Sequence, residues 1–96
     1  MRAAKIDANQ TEIVAALRAA GANVQSLAGV GKGVPDLLVG IAGKLALFEV
    51  KDGKKVKSAQ KLTPDQVEWH KKWEGYPVCL VDGPESALRM LGVLSK

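Results

Sequence analysis

The chain has 96 residues, 47% hydrophobic and 25% charged, with a net charge of +4 and a pI near 9.4. That length allows one small domain with a limited core, and the composition excludes a low-complexity or disordered chain. The single cysteine, Cys79, excludes an internal disulfide and a cysteine-built zinc cluster, and no apolar run approaches the roughly 20 residues that span a bilayer.

The segment MRAAKIDANQTE shows no apolar core followed by a cleavage site. A cytoplasmic protein in a reducing compartment is therefore expected, in a bacterial or phage-infected cell if the resemblance given below holds. Residues 9–22 read as an amphipathic helix, with Ile13, Val14, Leu17 and Ala20 at helical spacing, Asn9 as its cap and Gly21 at its end. NVQSLA is a weak strand and GVGKGVP a loop. DLLVGIAGKLALFEVK reads as a hairpin turning at Ala42-Gly43. A polar, lysine-rich connection follows. TPDQVEWHKKWEG carries a strong helix start, with Thr63 as cap, Pro64 in the first turn and Gln66 completing a capping box. YPVCLVD is a short strand, and GPESALRMLGVL a last helix. The order α-β-β-β-α-β-α predicts an α/β fold, a mixed four-stranded sheet flanked by helices, in one domain over residues 1–96.

The third strand holds an anomaly. Side chains alternate across a sheet, so Leu45, Leu47, Glu49 and Lys51 share one face. Two opposite charges thus enter an apolar strand. Asp36 follows Pro35 at the start of the partner strand, and a hairpin sets it beside Glu49. Two carboxylates so placed repel unless a cation or a proton lies between them. An oxygen-rich site of this kind suits magnesium or manganese. The bland alternative is a strand end in solvent, where Glu49 and Lys51 form a surface pair worth about 0–1 kcal/mol.

GVPDLLVG followed by LFEVK resembles the PD-(D/E)xK nuclease motif. KGVPDLLVG together with LTPDQVEWHKKWEGYPVCLV resembles, more narrowly, the VRR-NUC domains found in phage-type stand-alone nucleases and in larger DNA-repair nucleases. The likeness covers about residues 9–92. It implies a restriction-endonuclease-like fold and a metal-dependent endonuclease acting on branched DNA, with four-way (Holliday) junctions foremost. It implies Mg2+ or Mn2+ held by Asp36, Glu49, the Val50 carbonyl and Glu12. Lys51 would orient water and offset phosphate charge, and Gln66 would support the site. A homodimer and a helicase-like partner are further expectations.

Several of these residues carry a second reading. Glu12 lies three residues after Asn9, and Gln66 three after Thr63, so both could serve only as capping-box partners. His70 lies one turn beyond Gln66 and reads more readily as a packing residue than as a catalytic one. Trp69 and Trp73, one turn apart, suit the core or a dimer patch better than base stacking. Cys79 reads as an inert buried thiol. GVGKG lacks the Ser or Thr of a phosphate-binding P-loop, but Lys32 within it could meet a phosphate. Lys51, Lys54, Lys55, Lys57 and Lys61 cluster within eleven positions. They form either a solvated loop or a track for the DNA backbone, which would recognise shape rather than sequence. The rival functions are a catalytically inactive DNA-binding module and an interaction subunit that keeps the fold.

Overall fold

A computed structural model of the protein describes residues 8–53 and 61–96. The elements run α1 (Ala8–Ala19), β1 (Asn23–Ser26), β2 (Leu37–Ile41), β3 (Lys44–Val50), α2 (Pro64–Lys72), β4 (Val78–Val81) and α3 (Pro84–Leu94). This is the order and the α/β class that the sequence predicts.

The four strands form one sheet in the order β1-β2-β3-β4. The first three run antiparallel, and β4 runs parallel to β3. A parallel neighbour needs a crossover, and the connection that carries α2 supplies it. The β2–β3 turn is the two-residue Ala42-Gly43 loop, which joins Ile41 to Lys44. Both turn residues have positive φ, 54° and 76°, as a primed hairpin turn requires.

One face of the sheet makes the core. Leu37, Val39, Ala46, Phe48 and Val81 are buried there against Ile13 and Leu17 of α1 and Ala87 and Leu91 of α3. Phe48 is the largest fully buried side chain, and truncating such a residue to alanine costs about 3–5 kcal/mol. Helix α1 closes with a Schellman motif, in which Gly21 N–H donates to the Arg18 carbonyl and Ala22 N–H to the Leu17 carbonyl. Asn9 does not cap this helix as expected. It lies within α1, and its amide donates to the carbonyls of Lys51 (3.0 Å) and Asp82 (3.3 Å). Two carbonyls at the ends of β3 and β4 occupy the side chain that a cap would use, so the capping-box reading of Glu12 loses its partner.

The opposite face is covered only in part. Helix α2 lies over the end that holds Glu49 and Lys51, and none of its residues is fully buried. Away from it, Leu45 and Leu80 remain 63% and 56% exposed. Among the described residues, no helix is long and apolar enough to cross a membrane.

Candidate active site

Strand alternation and hairpin register assemble the site. Leu37 pairs with Phe48, so Asp36, one residue earlier, lies opposite Glu49 on the face away from the core. The Asp36 main-chain carbonyl accepts from Leu27 N–H at 2.7 Å, and one carboxylate oxygen accepts from Val50 N–H at 2.8 Å. The residue is thus fixed from both sides before any ligand arrives.

Glu49 is 1% exposed. Its pKa is pushed up to about 9, first by burial and then by the hydrogen bond and the negative charge of Asp36. The Lys51 ammonium and the Val50 N–H pull the other way and do not prevail. At neutral pH the acid pair therefore holds a proton. A strand end in solvent does not describe this glutamate.

Lys51 stands two residues on, at the mouth. Its Nζ donates to Gln66 Oε1 at 2.9 Å. Gln66 Oε1 also accepts from Thr63 N–H at 2.9 Å, while Gln66 N–H donates to Thr63 Oγ1 at 3.3 Å. One oxygen of Gln66 thus closes the capping box and holds the lysine. His70, one turn further along α2, brings Nε2 to 3.8 Å from Glu49 Oε1. Burial, and then the Lys51 charge, lower the His70 pKa, so its imidazole is neutral at pH 7.

The glycine loop fits closely against α2. Gly31, Lys32 and Gly33 all have positive φ. A Cβ on Gly33 would collide with the Asp65 carbonyl, so only glycine allows the loop to pass the first turn of α2 this closely. Lys32 is exposed at that crossing.

Other expectations meet different fates. Glu12 is exposed on α1, and among the described residues it makes no hydrogen bond or ion pair with Asp36, Glu49 or Lys51. The buried polar residue of α1 is Gln10, 6% exposed. Sequence reasoning passed over it, although its spacing from Ile13 and Leu17 puts it on their face of the helix. Lys61 is exposed, while Lys54, Lys55 and Lys57 lie outside the described residues. Trp69 and Trp73 stack with ring centres 5.1 Å apart, and Tyr76 abuts Trp73 edge-on. Trp73 is 43% exposed, so core packing is excluded for it. Cys79 is partly buried, and burial raises its pKa, as an inert thiol requires. Sequence reasoning missed Asn9 as the tie between β3 and β4. It also missed Arg89, which lines a cleft with Lys51, Asp82 and Ser86.

The chemistry of the donors can be tested against a metal. Among the described residues, no three His, Cys, Asp or Glu side chains form a ready-made cage. Glu49 Oε1 is nevertheless a buried acceptor without a hydrogen-bond partner, beside a second carboxylate. Orphaned buried acceptors are rare and call for an explanation. A divalent cation fits this donor set once it displaces the shared proton.

A search of solved structures finds one described as a VRR_NUC domain, 27% identical, with a TM-score of 0.64. The match covers 86% of this chain and 89% of that one. Over most of its length the chain is similar to that VRR_NUC domain in fold and in sequence. No family model and no curated protein matches the sequence. In this chain the motif residues Asp36, Glu49 and Lys51 come together at one end of the two central strands, with Gln66 bound to the lysine.

Proposed function

We propose that the protein is a divalent-metal-dependent endonuclease that cuts structured DNA, with four-way junctions as the leading substrate. The observation that carries this reading is the acid pair of buried Glu49 and half-buried Asp36, in which Glu49 Oε1 has no hydrogen-bond partner among the described residues. Asp36, Glu49 and the Val50 carbonyl would hold Mg2+ or Mn2+. When bound, such an ion lowers the pKa of water and neutralises charge on the scissile phosphate. Glu12 would reach the site only through solvent, since it is exposed.

Lys51 then acts from a fixed position. Its ammonium has three donors, and Gln66 takes one. The other two remain for the attacking water and a phosphate oxygen, where a preorganised positive charge is worth most as negative charge develops. Lys32, Lys61 and the Lys54, Lys55 and Lys57 segment would contact the DNA backbone and position it without reading sequence.

Two incisions in a junction need two sites, and a symmetric dimer supplies them. The exposed Trp73, Tyr76, Leu45 and Leu80 supply apolar surface for such contact. The same surface favours a second reading, an interaction subunit that uses this face and cuts nothing. Incubation of the pure protein with labelled duplex, single-strand, flap and four-way DNA, with and without manganese, separates the two. Cutting of the four-way species only with metal is expected. No cutting under any condition would favour the interaction subunit. Light scattering at micromolar concentration should give twice the monomer mass, and a monomeric reading would remove the dimer.

A further inference from the structure

Helix α2 carries a second cleft beside the acid pair. Asp65, Glu68, Trp69 and Lys72 of α2 wall it on one side and Lys32 of the glycine loop on the other, around about 270 Å3. The Trp69 ring meets the His70 imidazole edge-on with centres 5.6 Å apart, and His70 in turn touches Glu49, so the cleft adjoins the proposed site of cutting. Gly33 passes the Asp65 carbonyl too closely for any Cβ, which sets the loop against the helix. Lys32 beside it holds φ 53°, a strained value of the kind that clusters at functional sites.

The walls decide what the cleft can take. Among the described residues, the side chains of Lys32, Asp65, Glu68 and Lys72 have no ion-pair or hydrogen-bond partner. Glu68 and Lys72 stand four apart on α2, the spacing at which opposite charges meet, yet they do not pair. A second copy of the chain would have to cover these four charges, and interface cores are depleted of Asp, Glu and Lys. A phosphate seated inside would face two carboxylates. A flat, uncharged ring with its own hydrogen-bond donors meets neither objection, because its face stacks on an indole and its amino group donates to a carboxylate. The volume falls just below the ~300–1,000 Å3 of sites for drug-sized molecules, which suits one base and excludes a length of duplex.

We propose that the cleft receives one unpaired base of the DNA, stacked on Trp69, with its amino group on Asp65 or Glu68 and the flanking phosphates on Lys32 and Lys72. The inference rests on the DNA-cutting reading of the neighbouring site and deepens it to the substrate class, DNA with an unpaired nucleotide beside the cut. Thymine carries no amino group, so cytosine is held better than thymine.

The test is metal-free binding of the full chain to single strands of equal length: an all-cytosine strand, an all-thymine strand and an abasic strand with the same phosphates. Trp69 and Trp73 are the two tryptophans of the chain, so Trp73→Phe leaves Trp69 as the emitter. The cytosine strand is expected to quench that emission and the abasic strand to leave it unchanged. The wild type should bind the cytosine strand about 5- to 150-fold tighter than the abasic strand, the range that stacking of one base supplies. Trp69→Ala should remove that preference, and Asp65→Asn combined with Glu68→Gln should narrow the gap between cytosine and thymine. Lys32→Ala should weaken all three strands alike. Circular dichroism checks that Trp69→Ala is folded, and the wild-type comparison decides alone if it is not. Equal affinity of the wild type for the cytosine and abasic strands would overturn the base site. If Trp69→Ala then also halved the mass in light scattering, the cleft would belong to a second copy. A protein that cuts four-way DNA yet shows no base preference loses this inference and keeps the nuclease reading, and one that prefers the cytosine strand but never cuts does the reverse.

Discussion

Glu49 carries a proton that the unfolded chain would release. Its ordinary pKa is 4.5, and burial beside Asp36 lifts it to about 9 in the fold. Between those values the folded state binds more protons than the unfolded state. Stability from this group is therefore full below the lower value and lost as pH rises toward the higher one, by up to about 1.4 kcal/mol per pH unit. We predict that Glu49→Gln flattens the stability–pH curve of the metal-free protein across that window, measured by urea unfolding at a series of pH values. Parallel curves for the two proteins would show that the acid is not held protonated. Lys51 differs in kind, because it contacts Gln66. We predict that Lys51→Ala loses cleavage but keeps metal affinity in calorimetry. A drop in affinity matching that of Asp36→Ala would make Lys51 part of the metal site. The facing of Asp36 and Glu49 could be read in the sequence because strand alternation and a short hairpin fix which side chains meet. The contact of His70 with Glu49 could not, since nothing in its spacing on α2 tells which part of the sheet that helix covers.

Among the elements, the hairpin shows how local chemistry sets the register on which the site depends. Ala42 sits at φ 54°, which costs an L-residue with a Cβ roughly 1–2 kcal/mol. Asparagine tolerates that region better and forms the favoured Asn-Gly turn. We predict that Ala42→Asn stabilises the protein by about 0.5–1 kcal/mol in urea unfolding, with the Asp36–Glu49 pairing unchanged. A destabilised variant would mean that other interactions hold the turn. The start of α2 is equally plain in sequence, because Thr63, Pro64 and Gln66 act within four residues. The start of α1 is not. Asn9 has the chemistry of a cap, but its two carbonyl partners lie 42 and 73 residues away. Tertiary partners at that distance leave no local signal.

At the scale of the whole molecule, the sheet has one face packed by α1 and α3 and one face half open, and the site sits where α2 closes the open face. The fold class follows from element order. Which helix covers which face does not, and so the exposure of Trp73 has no signal in the sequence. Basic side chains flank the site in the sequence, and their role can be read from salt dependence. We predict that changing Lys54, Lys55 and Lys57 together to alanine lowers the slope of log affinity against log salt by roughly 0.9 for each duplex phosphate that these lysines neutralise. An unchanged slope would return them to solvent. The central claim is that Asp36 and Glu49 form a metal-dependent nuclease centre. The most direct measurement compares manganese-dependent cleavage of labelled four-way DNA by the wild type, Asp36→Ala and Glu49→Ala, with binding of the same DNA measured alongside. Cleavage by the wild type alone, with binding retained in all three proteins, is the predicted result. Near-normal turnover by either variant would contradict the claim.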